Sequence, residues 1–124
     1  MQTITCVFCS LDLKREEMIS RGDYFIILKS KNPIIEEHLL LIPIRHIRRE
    51  IDFNQVEALE YAEMCMVAYM HIWKSFGQEP FVFVNPPQQQ SVQHLHKHFI
   101  PGIFGILGIE NALRQYLSND SYRE

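Results

Sequence analysis

No window of this chain approaches the roughly 18 apolar residues that would span a bilayer, and residues 1–10 lack the basic start and apolar stretch of a secretory leader. The expected location is therefore cytoplasmic. Cysteine is scarce and odd in number: Cys6, Cys9 and Cys65, with no secretory leader expected, argue against a disulfide framework and for thiols or metal ligation. An excess of charge of one sign is lacking too. Lys and Arg number 12 against 15 Asp and Glu, a net charge of -3, so no global field favours nucleic acid or an anionic membrane. Any anionic ligand has to be held locally. No repeat or linker divides the 124 residues, and 47% apolar content suffices for a single core, so residues 1–124 are expected to form one domain.

What is present orders itself into short strands around one long helix. Residues 24–28 and 38–42 are rich in Ile, Leu and aromatics and are separated by the turn signal Lys31-Asn32-Pro33, so they read as strands joined in a hairpin. Asp52 with Gln55 resembles a capping box. Val56, Leu59, Met66, Val67, Met70 and Trp73 then recur near helical spacing until Gly77, which predicts a long amphipathic helix with these residues, and the thiol of Cys65, in the core. Residues 81–84 and 92–100 read as two more strands. Residues 110–117 read as a closing helix that docks through Ala112, Leu113, Tyr116 and Leu117. Consecutive strands followed by one helix before the last strand pair argue for an α+β fold with an antiparallel sheet.

The chemistry concentrates in residues 90–101, Q-S-V-Q-H-L-H-K-H-F-I-P, where His94, His96 and His98 fall at every second position. In an extended strand these imidazoles would emerge on one face, neighbouring Cα pairs about 6.6 Å apart. A ring with an unperturbed pKa near 6.5 can serve as nucleophile, proton shuttle or metal ligand without extreme tuning. Leu95 and Phe99 on the other face, and the stop at Ile100-Pro101-Gly102, mark a folded strand and not a histidine-rich tract.

This run resembles the signature of the histidine triad family of nucleotide hydrolases and transferases, matched by Gln90, Ser91, Val92, His94, His96, His98, Phe99, Ile100 and Pro101. The likeness extends upstream through Asn32-Pro33, His38-Leu39-Leu40-Leu41-Ile42-Pro43 and Arg45-His46-Ile47. The resemblance implies a meandering antiparallel sheet of about five strands with one long helix and a C-terminal helix, commonly in a homodimer. It makes His96 the nucleophile toward the α-phosphorus of a nucleotide, gives His98, Gln90, Ser91 and Asn85 as donors to the phosphate oxygens, and makes His38 a partner that orients the triad. A satisfied core histidine is the competing account of His38. Ser30 occupies the position usual for a ribose ligand, with Asn32 close enough to stand in. Leu28 and Leu40 are candidates for walling the base pocket, and core packing explains them as well.

Cys6-Val7-Phe8-Cys9 has the C-x-x-C spacing with which two thiolates grip a tetrahedral ion, although a redox pair has the same spacing. In the zinc-bearing branch of the resembled family the other two ligands stand where this chain has His46 and His94. The resemblance therefore implies a structural Cys2His2 zinc.

Three departures bear on function. The loop after Asn85 is shorter than the family norm and has Pro86, Pro87 and Gln89 in place of glycines, which would alter the phosphate cradle. Glu37 stands before His38 where glycine is usual, adding negative charge near an anionic substrate. Lys97 replaces an apolar residue on the reverse of the triad strand, a costly burial unless its head group reaches water. Two readings follow. One is a nucleotidyl hydrolase or transferase that splits a nucleoside monophosphate from a phosphoanhydride or phosphoramidate of the dinucleoside polyphosphate or adenosine phosphoramidate type. The other is a zinc-stabilised nucleotide-binding or partner-binding module with little activity. Arg45, Arg48 and Arg49 suggest either steering of a polyphosphate or a solvated basic face.

Overall fold

The computed structural model describes residues 6, 8, 9, 17–30, 37–84, 93–102 and 114. Strands β1 (Met18–Arg21), β2 (Phe25–Lys29) and β3 (Leu39–Pro43) precede helix α1 (Gln55–Phe76), which is followed by β4 (Pro80–Val84) and β5 (Lys97–Pro101). The sheet is antiparallel throughout, in the order β1-β2-β3-β5-β4. The helix carries the chain to the far edge, and β5 returns to lie beside β3. This α+β architecture agrees with the expected class. The expected closing helix at 110–117 falls almost entirely outside the described residues. No helix among the described residues is long and apolar enough to cross a membrane.

Unbroken apolar runs in β2 and β3 reflect burial on both sheet faces, which removes the usual alternation. Phe25, Ile27, Leu39, Leu41 and Phe99 pack against Met64, Ala68 and Ile72 of α1, while Ile26, Leu28, Leu40 and Ile42 form a second cluster on the opposite face with Phe8. β1 was not expected from its short M-I-S-R sequence. Its signal is the Gly22-Asp23 turn that follows. The Glu60 carboxylate closes that turn by accepting from the backbone N–H groups of Asp23 at 2.9 Å and Tyr24 at 2.7 Å.

Two expectations for the helix need correction. The capping box uses Asn54 and Glu57, not Asp52 and Gln55: Glu57 N–H donates to the Asn54 side chain at 2.8 Å and Asn54 N–H donates to the Glu57 carboxylate at 2.9 Å. Asp52 is already spent in a short 3-10 turn, Glu50–Asp52. The core-facing stripe is also different. Glu57, Met64, Ala68 and Ile72 are buried, whereas Val56, Leu59, Met66, Val67, Met70 and Trp73 are exposed, Leu59 at 69% and Met66 at 60%. α1 carries two apolar stripes, and the sheet takes the one of Met64, Ala68 and Ile72, flanked by Tyr61, Cys65 and Phe76. Cys65, expected in the core, is half-buried and packs against it, and burial raises its thiol pKa against the opposing influence of Lys97. Gly77 ends the helix with a left-handed φ of 65°, its N–H donating to the Trp73 carbonyl at 2.7 Å.

Glu57 is a buried carboxylate and needs a partner. Arg45 supplies it through a two-pronged contact, Nε to Oε2 at 3.0 Å and Nη2 to Oε1 at 2.8 Å. Arg49 lies 3.5 Å from Asp52. Of the three arginines suggested for steering, Arg45 thus anchors the start of α1 and Arg49 pairs with Asp52 in the preceding 3-10 turn.

Candidate active site and metal centre

The extended strand expected over 92–100 begins only at Lys97. Gln93 and His94 form a bend, so strand alternation does not govern all three histidines. His98 lies on the sheet face away from α1, in register with Leu40 on β3 and Phe83 on β4. His96 lies close by, its ring centroid 5.0 Å from that of His98. His94 belongs instead to a separate group with the cysteines. All three rings are buried.

His98 is fixed from two sides. Phe83 stacks on it at 4.3 Å with an interplanar angle of 5°, and His38 Nε2 hydrogen bonds with His98 Nδ1 at 2.9 Å. Burial lowers the pKa of both imidazoles, His38 to about 4 and His98 well below the ordinary value, with the neighbouring His96 ring adding to each shift. Both rings are neutral at pH 7. Phe83 was not singled out from sequence, because its partner on β5 follows only from strand register. The His96 ring bonds through Nδ1 to the His94 carbonyl at 2.8 Å. A carbonyl only accepts, so Nδ1 carries the proton and the lone pair lies on Nε2.

Ser30 follows β2 and its backbone N–H donates to the His38 carbonyl at 2.8 Å, which ties the expected ribose position to the start of β3. Asn32, Asn85, Gln90 and Ser91 lie outside the described residues. Glu37 adopts a φ of 65°, which accounts for the preference for glycine there. Its carboxylate does not stand as a bare charge beside the triad. It meets Lys29 Nζ at 3.1 Å and His71 Nε2 at 3.1 Å, and these contacts lower its pKa against the opposing effect of burial. Lys97 is half-buried on the helix side, its ammonium 4.8 Å from the centroid of the Tyr61 ring.

The four proposed metal ligands do meet. One donor atom each from Cys6, Cys9, His46 and His94 lies within 4.8 Å of every other. His94 Nδ1 is 3.3 Å from Cys6 Sγ, 3.4 Å from Cys9 Sγ and 3.2 Å from His46 Nδ1, and His46 Nδ1 is 3.1 Å from Cys9 Sγ. A tetrahedral zinc with its usual bond lengths has S···N edges of about 3.6 Å and N···N edges of about 3.3 Å, so the cluster is close to the required size. The donor chemistry fits as well. His94 Nε2 donates to the Pro43 carbonyl at 2.7 Å, which turns the Nδ1 lone pair toward the cluster. Burial brings His94 down to about 4 and keeps it neutral, while burial and the adjacent Cys6 push Cys9 up to about 11, so without a cation the Cys9 thiol stays protonated. The ring of Phe8, inside the C-x-x-C turn, stands edge-on to His94 at 5.8 Å and to His96 at 5.0 Å.

Comparison with known proteins adds to this geometry. Residues 1–103 match the family described as similar to the CwfJ C-terminal region. The chain is 34% identical over 96 residues to an uncharacterized HIT-like protein of Chlamydia trachomatis, covering 74% of this chain and 84% of that one. A structure of a HIT family member from Bacillus subtilis matches with a TM-score of 0.73 at 20% identity, covering 94% of this chain and 97% of that chain. A Zn-bound histidine triad family protein from Mycobacterium smegmatis matches with a TM-score of 0.70 at 19% identity, covering 92% and 96%. These two structures speak for the fold alone.

Proposed function

The chain belongs to the histidine triad family, and from that premise we propose that it is a nucleotidyl hydrolase or transferase acting through a covalent nucleotidyl-histidine. The observation that carries the reading is the His96 Nδ1 contact with the His94 carbonyl at 2.8 Å, which leaves the lone pair on Nε2. In this reading Nε2 attacks the α-phosphorus, the leaving group departs with its bonding electrons, and water or another acceptor then displaces the nucleotide from the ring. His38 donates from Nε2 to His98 Nδ1, so that His98 presents Nε2–H to a phosphate oxygen. The neutral rings of His38 and His98 suit this task, since a donor with a fixed tautomer needs no reorganisation. Asn85, Gln90 and Ser91 are assigned to the phosphate and Ser30 and Asn32 to the ribose. Cys6, Cys9, His46 and His94 are assigned to a structural zinc, which would supply folding energy. A cytoplasmic location would keep the thiols reduced.

The test is a panel of dinucleoside polyphosphates and adenosine 5'-phosphoramidates assayed by product release. Release of AMP from at least one class is expected. Tight binding across the panel with no release would instead favour the nucleotide-binding module with little activity.

The exposed stripe of Val56, Leu59, Met66, Met70 and Trp73 runs the length of α1, and it supports the further reading that the protein is a homodimer. Light scattering should return twice the 14.7 kDa chain mass, and Met66→Glu should shift it toward a single chain. A monomeric wild type at micromolar concentration would refute this part.

A further inference from the structure

Phe8 sits between the two cysteines of the metal set, in a turn closed by a Cys9 N–H to Cys6 carbonyl bond of 3.1 Å. The turn is short, so the position of its backbone sets the position of the ring. That ring is half-buried. It packs onto the cluster of Ile26, Leu28, Leu40 and Ile42, on the sheet face that carries His98, and stands edge-on to His94 at 5.8 Å and His96 at 5.0 Å. Two contacts of His96 thus lead back to the metal set: its Nδ1 bond to the carbonyl of His94, and its edge contact with Phe8.

We propose that Phe8 is a positioning residue that couples the geometry of the Cys6, Cys9, His46 and His94 cluster to the placement of the His96 ring. The inference rests on reading His96 as the group that meets the nucleotide. A metal-held turn presents Phe8 at one fixed height, and Phe8 then limits how far the His96 ring can rotate about its Nδ1 anchor. The coupling is reciprocal, since any two sites that share a rigid contact influence each other equally. Edge-to-face aromatic pairs are energetically large enough to change an equilibrium by about three- to tenfold.

The experiment uses the full chain loaded with cobalt(II) in place of zinc, because the visible d–d bands of tetrahedral cobalt report ligand geometry directly. AMP is titrated into wild type, Phe8→Leu and Phe8→Tyr, with far-UV circular dichroism and metal content establishing that each is folded and holds one cobalt per chain. AMP is expected to perturb the cobalt bands of wild type and Phe8→Tyr, which keeps an aromatic edge. In Phe8→Leu the amplitude of that change should fall at least threefold. A Phe8→Leu difference spectrum equal to that of wild type would overturn the proposal, as would wild type that binds AMP without any change in its cobalt bands. Wild type that takes up no AMP would sink the nucleotide reading itself, and this inference with it. Should Phe8→Leu fail to fold, Phe8→Met takes its place, with the same criteria applied to its spectrum.

Discussion

Replacing His96 with alanine is expected to abolish turnover, by a factor on the order of 10³ or more in kcat, while leaving nucleotide affinity nearly unchanged. Binding in the proposed reading is distributed over Asn85, Gln90, Ser91, His98 and the base pocket, but only the His96 ring can form the bond to phosphorus. Groups that bind ground state and transition state alike set affinity, whereas the loss of a nucleophile appears in the chemical step. His96 is buried, so His96→Asn, which better preserves volume, should show the same kinetic loss and separates chemistry from cavity formation. Wild-type protein denatured during turnover should carry a nucleotidyl group that is labile to acid and stable to base, as a phosphoramidate is and an ester is not. Wild-type rates in His96→Ala, or label recovered on Ser91, would leave the triad histidines with structural or metal roles.

Different parts of this molecule were legible in the sequence for different physical reasons. β2 and β3 announce themselves as apolar runs because burial on both faces leaves no polar positions. The cysteines and His46 could be assigned together with His94 only through the family likeness, since nothing local relates Cys6 to a residue 88 positions away; the structure brings their donor atoms within 4.8 Å. The helix face failed on a different ground. Periodicity identifies stripes, and α1 has two, so which one packs on the sheet, that of Met64, Ala68 and Ile72, becomes visible only in the fold. The capping error has a similar origin: both Asp52 and Asn54 have an acidic or amide residue three positions on, and the 3-10 turn decided which was free to cap. Phe83 was invisible because its role depends on register across two strands. Phe8 was written in the sequence inside the C-x-x-C, yet its contact with His96 required the bend at His94 that pulls that histidine away from the strand.

Stripping metal from the protein should lower its stability by about 4 kcal/mol at a free zinc concentration a thousandfold above the dissociation constant, or about 15 °C in Tm for a domain of this size. Freshly purified protein is expected to carry about one zinc per chain. The reason lies in what the four ligands connect. Cys6 and Cys9 lie in the N-terminal segment, His46 follows β3, and His94 precedes β5, so one ion closes loops that the backbone would otherwise hold only through packing. Because burial and Cys6 push the Cys9 thiol up to about 11, deprotonation is costly in the metal-free fold and has to be driven by the cation. His94, lowered to about 4 by burial, has its lone pair available from neutral pH well into the acid range. Two thiol protons are released on binding, so affinity should fall by about 100-fold for each unit of pH below the thiol range, and the metal-dependent part of Tm should shrink on acidification. Cys9→Ser should reproduce the metal-free Tm and remove its response to added zinc. Elemental analysis that finds no zinc in a folded preparation, or a Cys9→Ser variant as stable as wild type, would show that the cluster is held by hydrogen bonds between neutral thiols and imidazoles.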